Sequence, residues 1–481
     1  MRIASIIPNI MRNAFAILTL SATLLNVPSA KADWLTGRGN PQRTGTADDQ
    51  PGPKKPRVLW VHATKDDFVA SPVIDKNQLF VSGLGPFNSS SFTALSLTTN
   101  ATKRIAWSKS APYLKLPVVS APAVAGDKLV FGDGMHQTDG AILHCVRPDN
   151  GLPIWQLSVP GRLVHLEGSP TIADGRVFMG GGNAGVLCVD LNRVTLDGKE
   201  TDVAASQAVI DKKWKELLAK YEAEKKVDPD FAVPPNEDSL PKPAPKLLWQ
   251  QGRDQWHVDV SVAVVGDRVL VASAFLDDEK VGDRALICVS TNDGKQIWKA
   301  PLRLNPWAGP TVTGNVVLVG GSSIRFDPKH VSGATGEVVA LDLNSGGVLW
   351  RRDIPGGVLS SIAVRGESAG FTTTDGRVRC WDVKTGKEKW GHDAGAPFFA
   401  AATVTPDMAY AADLKGVVHA IQLSDGKVAW KLDLAADPTV KASGMVYGSP
   451  VVAAGKLYVA TCQIESADRQ GQRAVVCIGD N

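Results

Sequence analysis

Six polar or aromatic residues have the types and spacing to do chemistry. They occur in three short segments, VHLEGS, WHVDVS and NPWAGP, as the pairs His165 with Glu167, His257 with Asp259, and Asn305 with Trp307. Residues two apart share one face of an extended strand, so each pair points the same way. Imidazole and carboxylate groups beside an aromatic wall suit a small-ligand or metal pocket. The alternative is that the pairs only hydrogen-bond to each other and to water.

Each of these segments directly precedes a repeated unit. The unit begins with a small residue, often followed by Pro, and continues with alternating apolar residues, a polar turn and a second apolar run. Period-2 runs separated by turns predict four short antiparallel strands per unit, which is typical of propeller blades. We expect the residues two and four positions before each start to meet at the mouth of a central channel. The eight starts are Ser71, Ala121, Ser169, Ser261, Gly309, Ser360, Ala401 and Ser449.

A second repeated phrase, exemplified by CWDVKTGKEKW, has a small residue, a Gly and a Trp at fixed spacing. The last copy begins at Cys477, and the chain ends before a tryptophan follows. Trp60, near the start, has no phrase before it. We therefore predict that an N-terminal strand completes the last blade and closes the ring. The tryptophans predicted to pack between blades are Trp60, Trp107, Trp155, Trp249, Trp298, Trp350, Trp390 and Trp430.

The phrase A-x-D-x-x-T-G-x-x-x-W resembles the tryptophan-docking motif of eight-bladed PQQ-type propellers. This superfamily includes quinoprotein alcohol dehydrogenases and the propeller lipoprotein of the outer-membrane β-barrel assembly machinery. The resemblance covers nearly all of residues 33–481 and implies an all-β, eight-bladed propeller. It further implies that each docking tryptophan packs between the small residue and the Gly of neighbouring phrases.

The cysteines follow the same repeat. Five of the six, Cys145, Cys188, Cys288, Cys380 and Cys477, occupy the small-residue position that is Ala in the other copies. Equivalent positions on different blades lie too far apart for a disulfide, so we interpret these cysteines as buried, inert thiols. Cys462 and Cys477 fall in the same blade, and a disulfide between them is possible. The sequence has no C-x-x-C-H haem site and no zinc-like Cys/His spacing, and no resident metal is predicted.

The third unit is interrupted by an insertion, residues 192–246. Ile210, Trp214, Leu217, Leu218 and Tyr221 have helical spacing and predict one apolar stripe on a charged helix. A proline-rich segment follows and leads back to the strand at Trp249. The stripe either packs against the wall of the propeller or serves as a docking surface for a protein partner.

The first 32 residues have the pattern of an export signal. Arg2 and Arg12 precede an apolar run from Ala14 to Val27, and an A-x-A pattern ends at Ala32. The run is short for a retained membrane anchor, and no cysteine follows it for lipid attachment. Without this segment 49 basic residues face 49 acidic ones. We expect a near-neutral, soluble, monomeric protein outside the cytoplasm, with no transmembrane span and no affinity for nucleic acid.

Two functions agree with these features. The first is a non-catalytic scaffold that binds envelope proteins, as in cell-envelope or outer-membrane protein assembly, with no cofactor. The second, which the resemblance implies, is a dehydrogenase that uses PQQ and calcium to oxidise an alcohol or a sugar. In that case Glu167 and Asn305 would hold calcium, Asp259 would act as base and Trp307 would stack on the quinone. The sequence lacks the adjacent cysteine pair often found in such enzymes.

Overall fold

The computed structural model describes residues 33–46, 50–98, 103–136, 138–442, 444–463 and 472–480. The predicted export signal, residues 1–32, lies outside the described residues. Eight antiparallel sheets form the blades of a propeller, which confirms the predicted all-β fold. Within the described part, no helix has the length and apolar character needed to span a membrane.

The strands follow the predicted four-strand repeat. Strand β1 (Pro56–Thr64) precedes blade 1, which contains β2 (Val73–Asp75), β3 (Gln78–Leu84), β4 (Ser90–Ser96) and β5 (Ile105–Lys109). Blade 2 contains β6 (Ala123–Ala125), β7 (Lys128–Gly132), β8 (Ala141–Val146) and β9 (Pro153–Val159). Blade 3 contains β10 (Thr171–Ala173), β11 (Arg176–Gly180), β12 (Val186–Leu196), β13 (Lys199–Asp202) and β14 (Ala244–Gln251).

The remaining blades repeat this order. Blade 4 contains β15 (Ala263–Val265), β16 (Arg268–Leu276), β17 (Val281–Ser290) and β18 (Gln296–Pro301), and blade 5 contains β19 (Thr311–Thr313), β20 (Val316–Ser322), β21 (Thr335–Asp342) and β22 (Val348–Pro355). Blade 6 contains β23 (Ala363–Arg365), β24 (Ser368–Thr372), β25 (Arg377–Asp382) and β26 (Glu388–Asp393). Blade 7 contains β27 (Thr403–Val404), β28 (Met408–Ala412), β29 (Val417–Gln422) and β30 (Val428–Asp433), and blade 8 contains β31 (Val451–Ala453), β32 (Lys456–Ala460) and β33 (Arg473–Asp480).

The two ends of the chain close the ring in blade 8. Strand β1 pairs with β33, and Trp60 lies directly opposite Cys477. This pairing confirms the prediction that the N-terminal strand completes the last blade. It also gives the outer edge of β33 a hydrogen-bonded partner, so the ring is held together by a sheet rather than by a loop.

The tryptophans of the repeated phrase contact the next blade. Trp298 is the cross-strand partner of Cys288, and its indole N–H donates to the carbonyl of Leu343 in blade 5 at 2.9 Å. Gly346 of blade 5 lies so close that an added Cβ would come within 2.7 Å of this indole. The same closeness occurs between the phrase glycine and the preceding tryptophan in four other pairs, Trp107 with Gly151, Trp249 with Gly294, Trp350 with Gly386, and Trp390 with Gly426. That these contacts stabilise the ring remains a prediction.

The cysteines of the repeat lie in the interior of the protein. All six cysteines are buried, and no disulfide joins any two of them in the described residues. The disulfide considered between Cys462 and Cys477 is therefore not formed here. Burial raises the pKa of Cys477 to about 11, so this thiol is held in its unreactive protonated form.

An N-terminal strap, residues 34–46, runs around the inside of the ring. Backbone N–H groups of the innermost strands donate to its carbonyls in ring order: Ile74 to Trp34, Val124 to Leu35, Val264 to Pro41, Val312 to Gln42, Val364 to Thr44 and Val404 to Gly45. The innermost strand of a blade has an unpaired edge, and the strap satisfies that edge in blades 1, 2, 4, 5, 6 and 7. Blade 3 is bound in a different way: the guanidinium of Arg43 donates to the carbonyls of Ser169 and Pro170.

Helix α1 (Val203–Val227) lies within the insertion in blade 3. It begins at Asp202, whose carboxylate accepts from the backbone N–H of Ala205 at 2.7 Å, an N-cap that fixes the first turn. Ile210 is buried, and Arg147 on the blade wall pairs with Asp211 at 2.8 Å. The first three turns therefore attach the helix to blades 2 and 3.

Candidate functional site: the channel mouth and the insertion arm

A cavity of about 440 Å³ lies on the axis of the ring. Gly37 and Arg38 of the N-terminal strap form part of its lining. Glu167, Asp259 and Trp307 line it as well, together with Phe399 and Tyr447 of the opposite blades. The residues two positions before the unit starts thus converge from different blades, as the repeat predicted.

The two histidine–carboxylate pairs come together at one side of this cavity. His165 and His257 are fully buried, and their ring centroids are 5.3 Å apart. The Oδ1 atom of Asp259 lies 2.8 Å from Nε2 of His257 and 3.5 Å from Nε2 of His165. Glu167 Oε1 lies 3.5 Å from Nδ1 of His165. These four predicted site residues form one cluster.

His136 is a third histidine of this cluster, and the sequence analysis missed it. Its ring centroid is 5.6 Å from that of His165 and 6.0 Å from that of His257. His136 lies in the loop between β7 and β8, and Glu279, 3.7 Å from its Nε2, lies in the β16–β17 loop. Both loops join the second strand of a blade to the third. In a four-stranded blade, that loop and the entry to the first strand are at the same face of the ring. Searching the second loop of each unit for polar residues would have found both.

The other two predicted residues have different positions. Trp307 lines the cavity, and the guanidinium of Arg325 lies 5.3 Å from the centre of its ring. Asn305 is instead tied to the backbone of β16: its Oδ1 accepts from the N–H of Phe275 at 2.8 Å and its Nδ2 donates to the carbonyl of Phe275 at 3.0 Å. The amide therefore fixes the entry to blade 5.

One register in the repeat was wrong by a single residue. The first strand of blade 6 starts at Ala363, so the unit begins at Ser361 rather than at Ser360. As a result Leu359 lines the cavity, whereas Val358 packs into the apolar core with Leu318. The doubled serine made the two registers indistinguishable from sequence, and a shift of one residue reverses the facing of every side chain.

Burial and neighbouring charges set the protonation of the cluster. Burial lowers the pKa of His165 to about 4, so its ring is neutral at pH 7. Burial raises the pKa of Glu167 to about 8, and the nearby carboxylate of Asp259 adds to the effect. Burial alone would raise the pKa of Asp259, but the adjacent His257 and His165 lower it to about 2. Burial therefore favours the protonated form of Glu167, whereas the neighbouring histidines favour the charged form of Asp259.

The strap contains two buried arginines, of which Arg38 lines the cavity. Arg43 is fully buried, and its guanidinium donates to the carbonyls of Val262, Ser169 and Pro170 at 2.8–3.1 Å. Arg38 is 7% exposed and donates to the carbonyl of Ala402 at 2.8 Å. Its Nε and Nη1 groups have no hydrogen-bond partner among the described residues. Burial lowers the pKa of both guanidinium groups to about 9.

The insertion arm, residues 203–243, contains the predicted docking stripe. Ile210 is buried against the wall and is not available to a partner. Trp214, Leu217 and Tyr221 are half-buried, and Leu218 is exposed. Beyond the stripe the arm exposes further apolar side chains: Val227 is 87%, Phe231 83% and Val233 75% accessible. Lys109 on blade 1 pairs with Glu237, so the arm is attached to the wall again after this exposed stretch.

The residues at the channel mouth do not match the calcium-bound quinone of the second predicted function. The amide of Asn305 is used by the backbone of Phe275 and does not offer an oxygen to the cavity. Three imidazoles crowd the carboxylates of Asp259 and Glu167, whereas calcium prefers an all-oxygen set.

Eight blades, the recurrent tryptophan phrase and a ring closed by both chain ends define an eight-bladed propeller of the PQQ type. The model of one protein family matches residues 53–213, 243–330 and 327–478. The chain belongs to this family, which is described as outer membrane protein assembly factor BamB.

Solved structures agree with this fold. The chain superposes on BamB from Moraxella catarrhalis with a TM-score of 0.55 and 12% identity, covering 88% of this chain and 97% of that one. It also superposes on a europium-containing methanol dehydrogenase with a TM-score of 0.62 and 14% identity, covering 93% of this chain and 98% of that one. At these identities the similarity shows the fold alone.

A curated relative is the tetrathionate hydrolase of Acidithiobacillus ferrooxidans. It is 25% identical over 190 residues, which cover 36% of this chain. The match spans 38% of the length of that protein.

Proposed function

We propose that this chain is a non-catalytic, extracytoplasmic scaffold of the cell envelope whose insertion arm binds a protein of the outer-membrane assembly machinery. The observation that carries the proposal is the exposure of Val227, Phe231 and Val233 on an arm attached to the wall at both ends. Exposed apolar side chains on such an element are a common basis of protein–protein recognition. Membership of the BamB family supports the choice of partner.

The attachments of the arm favour a preformed docking surface. Asp211 and Glu237 pair with Arg147 and Lys109 on blades 2 and 1, on either side of the exposed stretch. A segment held at both ends loses less conformational entropy on binding than a free loop does. The partner would therefore meet an arm that is already in its binding conformation.

Replacing Phe231 and Val233 together by aspartate tests this surface. We expect the double variant to bind purified outer-membrane β-barrel assembly machinery at least about tenfold more weakly than the unchanged chain. The reason is that two apolar side chains that the partner would bury are replaced by charged ones. Biolayer interferometry with the immobilised full chain measures the dissociation constants.

Phe87 provides the matched control, since its side chain is fully exposed in the β3–β4 loop of blade 1 and is not part of the arm. Phe87→Asp should bind as the unchanged chain does. The proposal fails if the unchanged chain shows no saturable binding, or if the arm variant and the control bind equally well. Dye-linked alcohol oxidation after addition of PQQ and calcium would also contradict a non-catalytic role.

A further inference from the structure

Three histidines at the channel mouth have ring nitrogens that converge, and the carboxylate of Asp259 lies beside two of them. One nitrogen from each of His136, His165 and His257 lies within 4.8 Å of the other two. Both ring nitrogens of His165 and of His257 are buried and have no hydrogen-bond partner among the described residues. A buried polar atom without a partner is costly, so unpartnered nitrogens on two adjacent histidines need an explanation.

The position of Asp259 supplies that explanation. Its Oδ1 atom lies 2.8 Å from Nε2 of His257 and 3.5 Å from Nε2 of His165, but neither contact has the angle of a well-aligned hydrogen bond. In a tetrahedral ion with bonds of ~2.0–2.1 Å, neighbouring ligand atoms are about 3.3 Å apart. One separation around Asp259 is shorter than that value and the other slightly longer, so small shifts of the side chains would let these atoms face a common ion.

We propose that His136, His165, His257 and Asp259 form a binding site for a divalent transition-metal ion of the zinc type. Three imidazoles and one carboxylate are ligands that zinc, copper or nickel prefer, whereas calcium and magnesium prefer oxygen alone. The site is independent of the insertion arm and goes beyond the scaffold function. It joins blades 2, 3 and 4, because each supplies at least one ligand.

Two further carboxylates are placed to orient the ligands. Glu167 Oε1 accepts from the backbone N–H of His136 at 2.6 Å and lies 3.5 Å from Nδ1 of His165. Glu279 Oε1 lies 3.7 Å from Nε2 of His136. Carboxylates that contact the far side of a ligating histidine fix the orientation of its ring. Glu167 and Glu279 are positioning residues in this proposal.

Metal titration of the chelator-treated full chain tests the site. We expect one Zn²⁺ per chain by isothermal calorimetry, bound on the order of 100-fold more tightly than Ca²⁺. Cobalt substitution should give the intense visible absorption of a four-coordinate ion. His165→Gln and His257→Gln should each weaken Zn²⁺ binding by roughly 100-fold, and Asp259→Asn, which keeps the volume of the side chain, by roughly tenfold.

His419→Gln is the matched control. His419 is also buried beside a carboxylate, with Nε2 3.0 Å from Asp413 Oδ2, but it lies in blade 7. This variant should keep the affinity of the unchanged chain for Zn²⁺, and circular dichroism checks that all variants fold. The proposal would be overturned if the chain bound Zn²⁺ and Ca²⁺ with equal affinity. It would also be overturned if Asp259→Asn and the folded histidine variants bound Zn²⁺ as tightly as the control does.

Discussion

Replacing Arg43 by methionine is expected to lower the free energy of unfolding by about 3–5 kcal/mol, because the change leaves several buried carbonyls without a donor. The Arg43 guanidinium connects the strap to blades 3 and 4 through Ser169, Pro170 and Val262. A methionine side chain fills similar space but donates no hydrogen bond. Guanidinium-induced unfolding, followed by tryptophan fluorescence, measures the difference.

Arg193→Met is the control for loss of a guanidinium group. Arg193 pairs with Glu200 on the surface, where its side chain is 56% exposed, so its loss should cost no more than about 1 kcal/mol. Limited proteolysis of the strap adds a second measurement, since Arg43→Met should speed cleavage within residues 34–46. If Arg43→Met is as stable as Arg193→Met, the strap does not depend on this side chain.

Replacing Gly346 by alanine should destabilise the protein by about 2–5 kcal/mol. The residue has a φ of +71°, and an added Cβ would lie 2.7 Å from two atoms of the Trp298 indole. A left-handed conformation costs a non-glycine residue about 1–2 kcal/mol, and overpacking against a buried ring adds about 1–3 kcal/mol. The midpoint of thermal unfolding, measured by circular dichroism, should fall accordingly.

Gly314 separates these two contributions within the same blade. It also has a positive φ, +54°, but an added Cβ would meet no atom within 4 Å. Gly314→Ala should therefore cost only the conformational part, about 1–2 kcal/mol. Equal losses in the two variants would mean that the contact with Trp298 contributes nothing, and the predicted role of the tryptophan phrase would be wrong.

The ring could be predicted from sequence because its determinants repeat. Each blade carries the same alternation of apolar residues and the same phrase, and the orphan Trp60 together with the unfinished copy at Cys477 specified how the ring closes. The strap could not be predicted in this way. Its sequence, WLTGRGNPQRTGT, is polar and glycine-rich like a linker, and it is ordered by edges of strands that are distant in sequence.

The candidate site was predicted in part for a related reason. His165, Glu167, His257 and Asp259 precede unit starts, so the repeat placed them on one face of the ring. His136 and Glu279 lie in loops whose lengths differ among blades, and no period locates them. The environment of Asn305 depended on a backbone contact with Phe275 that the side-chain pattern does not encode.

The strap makes part of the N-terminal segment a wall of the axial cavity. It runs around the inside of the ring, and Gly37 and Arg38 line the cavity together with Trp307. A molecule that enters would therefore touch the strap as well as the blades. Its residence in the interior would depend on how firmly the inner strands hold the strap in place.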